Sequence, residues 1–237
     1  MADDRLIAAL DVPTRAAAEQ FVARLGDSVS CYKVGMELFY AHGGDIVTWL
    51  KEQEKKVFLD LKLHDIPNTV GNGLCSLLRL RPDILNVHTA GGLRMMKAAC
   101  EALHTAAERE EIPCPKLIGV TVLTSMDAED WAGLGHTGRI ADAVLRRAKL
   151  AQEAGLDGVV ASPAETEAIR CACGADFLIV TPGIRPAGVA LDDQRRVMTP
   201  AGAIRAGASQ IVVGRAIYAA EDPHTAAESI LKEMEAV

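Results

Sequence analysis

At 237 residues, 49% hydrophobic and 24% charged, the chain can bury a full core and is neither disordered nor fibrous in composition. Its formal net charge of -7 at pH 7 excludes a general affinity for nucleic-acid backbones or anionic membranes, which need clustered Lys and Arg, so an anionic ligand has to be met by a local site. The opening MADDRLIAALD is acidic where a signal peptide is basic, and no apolar run approaches the roughly 20 residues of a membrane span; a cytoplasmic protein is expected.

Apolar, β-branched runs recur along the chain, each followed by a longer segment with helical periodicity. In order they are RLIAALD (5–11), CYKVG (31–35), KVFLDL (56–61), ILNVH (84–88), KLIGVTV (116–122), GVVA (158–161), FLIV (177–180) and QIVVG (210–214). Thr14, just after Pro13, is the expected N-cap of TRAAAEQFVARL, and Gly155 the expected stop of GRIADAVLRRAKLAQEAG. DPHTAAESILKEMEAV reads as a final helix. Eight strand and helix units in a chain near the usual ~250 residues predict a closed (β/α)8 TIM barrel, one domain over residues 1–237. A doubly wound open sheet is the alternative, but the first turn, LDVPT, has no G-x-G-x-x-G, and no G-x-x-x-x-G-K occurs.

The six cysteines are scattered through predicted strands and helices, and free thiols are expected in a chain too large to need stapling. Cys171 and Cys173 form a C-x-C pair without a second pair at zinc-ligand spacing, so no metal is expected.

A barrel of this kind carries its active site at the C-terminal ends of the strands. Asp11 ends the first strand, Lys33 lies on the second, Asp60 and Lys62 on the third, His88 ends the fourth, and the fifth runs into Thr124 and Ser125. Alternation along the third strand puts Asp60 and Lys62 on one side, with Phe58 below them as packing. Each has an ordinary alternative: Asp11 as a helix cap, His88 as a satisfied core histidine. Lys33 is different, since an ammonium in an otherwise buried strand is costly without a carboxylate, and Asp60 on the neighbouring strand supplies one. A structural ion-pair network is the bland reading of Lys33, Asp60, Lys62 and Asp65; charges gathered at a catalytic mouth favour function. At the far end, VTPGIRP (180–186) follows the seventh run and VGRAI (213–217) the eighth. Such loops commonly hold a phosphate on backbone N–H groups, with Gly214 allowing close approach and Arg215 and Arg185 as charged contacts.

Together, LDV, YKVG, DLKLHDIPNTV, VTVLTS, TPGIRP and VGRAI resemble the orotidine 5'-monophosphate decarboxylase family in its compact bacterial form, over nearly the whole chain. The resemblance implies decarboxylation of orotidine 5'-monophosphate to uridine 5'-monophosphate, the last step of de novo UMP synthesis, with no metal or organic cofactor. It implies that Asp11 binds ribose hydroxyls, Lys33 links the ribose to Asp60, and Asp60 lies beside the substrate carboxylate while Lys62 protonates C6. Thr124 and Ser125 would contact the pyrimidine; Arg185, Gln194, Gly214 and Arg215 would hold the phosphate end, with Pro182 also among the substrate-binding residues. The family is homodimeric, and Asp65 and Thr69 would reach into the partner's site. The rival is a magnesium-dependent relative such as 3-keto-gulonate-6-phosphate decarboxylase, which shares D-x-K-x-x-D but has a carboxylate where this chain has Lys33. A non-catalytic barrel binding a phosphoribosyl ligand is the alternative outside enzymes.

Overall fold

The computed structural model describes residues 3–186 and 198–237. Among them, eight parallel strands close into a barrel in chain order: β1 (Leu6–Ala9), β2 (Cys31–Gly35), β3 (Lys56–Leu63), β4 (Ile84–His88), β5 (Lys116–Val120), β6 (Gly158–Val160), β7 (Leu178–Thr181) and β8 (Gln210–Val213). Around it run α1 (Arg15–Leu25), α2 (Met36–His42), α3 (Asp45–Glu52), α4 (Pro67–Leu78), α5 (Gly92–Arg109), α6 (Ala128–Gly133), α7 (Ile140–Glu153), α8 (Thr166–Cys173), α9 (Pro200–Arg205), α10 (Arg215–Tyr218) and α11 (Pro223–Glu235). The TIM-barrel expectation holds.

Strands buried on both faces explain the near-continuous apolar runs. One face of each packs under the helices in the main core, with Leu6, Ala8, Tyr32, Val34, Val57, Leu59, Leu85 and Val87 among its members. The alternate residues fill the barrel interior as a separate cluster of Ile7, Ala9, Cys31, Phe58, Ile84, Ile118, Val180 and Val212. Two residues further along several strands the interior turns polar: Lys33 follows Cys31, Asp60 follows Phe58, and Asn86 follows Ile84. The period of two thus carries an apolar plug up into a charged mouth. Burial pushes the Cys31 thiol in that plug up to about 12, which leaves it an inert packing group.

Local signals behave as expected at the helix ends. Thr14 caps α1 by accepting from Ala17 N, Gly155 follows α7 with φ +87°, and Pro67 occupies the first turn of α4. Several strand ends differ from the sequence reading by one or two residues. β5 ends at Val120, its last ladder bond to β6 running from Thr121 N to Val160 O at 3.1 Å; Thr121 Oγ1 donates to the same carbonyl at 2.9 Å, and the chain then bends at Leu123–Met126. β3 runs on to Leu63, and its register against β4 shifts between Leu59 and Leu63.

The alternation of sides expected of β3 survives that shift, with Leu59, Leu61 and Leu63 all against the main core and Lys62 bonded to Asp60, but the backbone is not regular. Lys62 has φ +53°, in the left-handed region. Of the described non-glycine residues with positive φ, Glu54, Arg81 and Glu111 lie in turns just beyond α3, α4 and α5, where such a conformation is ordinary; Lys62 is alone in a strand. Lys62 therefore reaches Asp60 by way of a bulge.

Candidate active site

The site grows from the polar layer above the interior plug. Lys33 Nζ donates to Asp11 Oδ1 at 2.9 Å and stands 3.6 Å from Asp60 Oδ2. The sequence assigned Asp60 as the partner of Lys33, but Asp11 is the closer one. The helix-cap alternative for Asp11 is not realised, since Thr14 caps α1. Gly35 makes room: a Cβ at that position would come within 3.1 Å of Lys33 Nζ and 3.5 Å of Asp11 Oδ1. On the other side of Asp60, Lys62 Nζ donates to Oδ1 at 2.7 Å. Asp11, Lys33, Asp60 and Lys62 form a continuous chain of alternating charge.

Asp60 is 8% exposed. Burial alone would raise its pKa, but the Lys33 and Lys62 ammoniums, with hydrogen bonds from Lys62 and Asn86, outweigh burial and hold the carboxyl below its usual range. The group is thus an anion in the folded protein at neutral pH. Asn86, on β4 and 1% exposed, was passed over in the sequence as one polar residue in ILNVH. Its Nδ2 donates to Asp60 Oδ1 at 2.6 Å, and its Oδ1 accepts from Lys62 N at 2.7 Å.

A cavity of about 480 Å³ opens beside this array, lined by Asp11 and Lys33 together with Pro182, Gly183, Arg185, Gly214 and Arg215 from the loops after β7 and β8. Gly214 stands beside Asp11, where an added Cβ would make ordinary contact with Asp11 Oδ2 at 3.4 Å. Arg185 is buried, its Nη1 donating to Ile184 O at 2.9 Å. The guanidinium groups of Arg185 and Arg215 give the β7–β8 side of the cavity the chemistry of an anion site. Gln194 lies outside the described residues.

Four expected residues stand apart from that cavity. Asp65 is exposed on the turn after β3, accepting from Ile66 N at 2.6 Å, and forms no ion pair among the described residues. Thr69 is exposed on the first turn of α4, beside an Ile66 that is 65% exposed. Ser125 lines a separate surface hollow with Met126 and Glu129, while Thr124 is half-buried in the turn before it.

His88, expected as a satisfied histidine, caps the turn after β4 by accepting from Ala90 N at Nδ1 (3.3 Å) and stacks on His64 with ring centroids 5.3 Å apart. Burial, then repulsion from His64, Arg147 and Lys62, lowers its pKa from 6.5 to about 4. The unfolded chain binds the proton more readily, so the stability His88 contributes is fully present above about pH 6.5 and is lost as pH falls toward about 4. His88→Gln should therefore flatten the fall of melting temperature across that window; an unchanged slope would refute it.

The profile of the Orotidine 5'-phosphate decarboxylase / HUMPS family matches residues 4–230. An orotidine 5'-phosphate decarboxylase of Moorella thermoacetica is 53% identical over 237 residues, covering 100% of this chain and 94% of that protein. One of Syntrophotalea carbinolica is 49% identical over 233 residues, covering 98% and 95%. The crystal structure of orotidine 5'-phosphate decarboxylase from Lactobacillus acidophilus superposes with a TM-score of 0.85 at 41% identity, covering 98% of this chain and 99% of that one. The resemblance first carried by the third-strand motif thus extends over sequence and fold alike, and the chain belongs to the orotidine 5'-phosphate decarboxylase / HUMPS family.

Proposed function

We propose that this protein converts orotidine 5'-monophosphate to uridine 5'-monophosphate and carbon dioxide, with Lys62 as proton donor to C6. The observation that carries the reading is the charge chain Asp11–Lys33–Asp60–Lys62, with contacts of 2.9, 3.6 and 2.7 Å, at the edge of a cavity that also holds Arg185 and Arg215. Loss of the carboxylate leaves an electron pair in the plane of the pyrimidine, out of conjugation with its carbonyls. An ammonium close to that carbon stabilises the developing charge and then delivers the proton. Asp60, held ionised beside the departing carboxylate, disfavours the bound substrate relative to the transition state. Asp11 and Lys33 face the ribose. Arg185, Gln194, Gly214 and Arg215 take the phosphate, whose binding energy orients the ring, Pro182 lines the same cavity, and Thr124 and Ser125 meet the pyrimidine.

The same reading makes the protein a homodimer of the cytoplasm in which Asp65 and Thr69 enter the partner's site. The exposure of Asp65 on the turn after β3 and of Thr69 on the first turn of α4 supports the shared site, and no helix among the described residues is long and apolar enough to cross a membrane. A magnesium-dependent sugar-phosphate decarboxylase within the family is the rival. Against it, Asp11 and Asp60 both face the Lys33 ammonium, which would repel a divalent cation placed between them. Purified protein given orotidine 5'-monophosphate in the presence of chelator should form uridine 5'-monophosphate at an undiminished rate. Activity lost in chelator and restored by magnesium would favour the rival.

Arg215→Ala should weaken binding of the nucleotide by about 1.5–3 kcal/mol, the range for a hydrogen bond to a charged group. Binding of the nucleoside should change much less. Equal losses for orotidine and its monophosphate would remove Arg215 from the phosphate site.

A further inference from the structure

We propose that Asn86 is a positioning residue that fixes the proton donor and the buried carboxylate to one another. This rests on the catalytic reading of Lys62 and Asp60 given above, and on a pair of hydrogen bonds that neither the motif nor the strand pattern foretells.

The requirement is set by the two groups Asn86 bridges. Lys62 N can only donate, and an ionised Asp60 can only accept. A single side chain that satisfies both must present an acceptor and a donor a few ångströms apart, and a primary amide does so. Asn86 Oδ1 takes Lys62 N at 2.7 Å, and Asn86 Nδ2 gives to Asp60 Oδ1 at 2.6 Å. That same Oδ1 receives Lys62 Nζ at 2.7 Å. Backbone, amide, carboxylate and ammonium therefore close a ring in which the orientation of each part depends on the others.

The location explains why such a ring is needed. Lys62 is held at φ +53° in a strand whose ladder to β4 is interrupted there. A backbone N–H left by an interrupted ladder, beside a residue in a conformation lysine rarely adopts, requires a fixed acceptor if it is to hold one geometry. Asn86 lies on the facing strand β4 and is 1% exposed, so packing holds its amide in place. Asp60 is approached by Lys33 from β2, by Lys62 from β3 and by Asn86 from β4, with Asp11 beyond Lys33. His88, two residues further along β4, is stacked on His64 and uncharged at neutral pH. Asn86 is the neutral member of this surround, and it steadies the Asp60 anion without competing with Lys62 for a proton.

Asn86→Leu removes both hydrogen bonds and keeps the branching of the side chain. Asn86→Asp keeps an acceptor for Lys62 N but replaces the donor to Asp60 with an oxygen. Both variants are compared with wild type in turnover of orotidine 5'-monophosphate against pH, in product binding, and in the titration of the Asp60 carboxyl carbon by NMR. The expected result is a loss of kcat of about 10- to 100-fold, the scale of a misplaced reacting group, with product affinity nearly unchanged. The acid limb of kcat and the Asp60 titration should both move to higher pH, and further in Asn86→Asp than in Asn86→Leu. A variant that melts earlier but keeps wild-type kcat and Asp60 titration would show a packing role only and overturn the proposal. Should Asn86→Leu fail to fold, the isosteric Asn86→Asp decides by the same readings. If the wild type itself does not turn over the nucleotide, the catalytic reading fails, and an unmoved Asp60 titration in the variants then refutes the tie between Asn86 and the carboxylate.

Discussion

Lys62→Ala should leave a folded barrel with almost no decarboxylase activity. The two effects are separable because they rest on different neighbours. For the fold, the substitution removes one charge-assisted hydrogen bond, that from Nζ to Asp60 Oδ1, while Asp60 keeps Lys33 at 3.6 Å and Asn86 at 2.6 Å. A cost of about 1.5–3 kcal/mol is expected for that bond, less than enough to unfold a domain of ordinary stability. For the reaction, the proposed mechanism makes the same change remove the proton donor and the positive charge beside the carbon that becomes electron-rich. General acid catalysis contributes about 10²–10⁴-fold, and a preorganised charge about 10²–10³-fold more, so kcat should fall by about 10⁴-fold or beyond. Circular dichroism and a turnover assay on one preparation check both halves. Wild-type turnover in the folded variant would take Lys62 out of the mechanism.

Mixing two nearly inactive variants should restore activity. If Asp65 serves the partner's site, each site draws Lys33, Asp60 and Lys62 from one chain and Asp65 from the other. Lys62→Ala and Asp65→Asn homodimers are then each impaired at both sites. In a mixed dimer one site carries both lesions, while the other takes Lys62 from one variant and Asp65 from the other and is wild type at these positions. Random pairing makes half of the dimers mixed, each with one good site, so recovery should approach about a quarter of wild type if the two sites act independently. The geometry within one chain is in keeping with this: Asp65 stands exposed on its turn, engaged with Ile66 N and not with Lys62. If subunit exchange is verified and activity does not return, the shared site is refuted.

The barrel was legible because its strands are apolar on both faces, which writes them as β-branched runs that no amphipathic helix resembles. Much of the site was legible for the opposite reason. Lys33 and Asp60 interrupt those runs, and buried charge in a strand demands a partner. What sequence could not supply was the choice among partners and the course of the backbone. Asp11 competes with Asp60 for Lys33, and the outcome depends on Gly35 leaving space for the ammonium. The left-handed turn at Lys62 has no local marker, since the residue there is neither glycine nor asparagine. Asn86 acquires meaning only from the strand beside it. Ser125 and Thr124 follow a strand that ends two residues earlier than its apolar run, so their placement rests on the turn at Leu123–Met126.

The interruption in β3 also carries a rule of parity. Between Leu59 and Leu63 this strand advances four residues, while β4, between their partners Leu85 and Val87, advances two. The excess is even, so Leu63 returns to the helix-facing side occupied by Leu59, and the layer beneath the helices continues unbroken. An excess of one would have turned Leu63 inward and sent the following loop off from the wrong side of the barrel. A two-residue deletion would straighten β3 and erase the reach of Lys62, whereas a one-residue deletion would put Leu63 out of phase with Leu59. Lys62 stands on spare chain that the ladder does not need, and the even excess lets the barrel close around it.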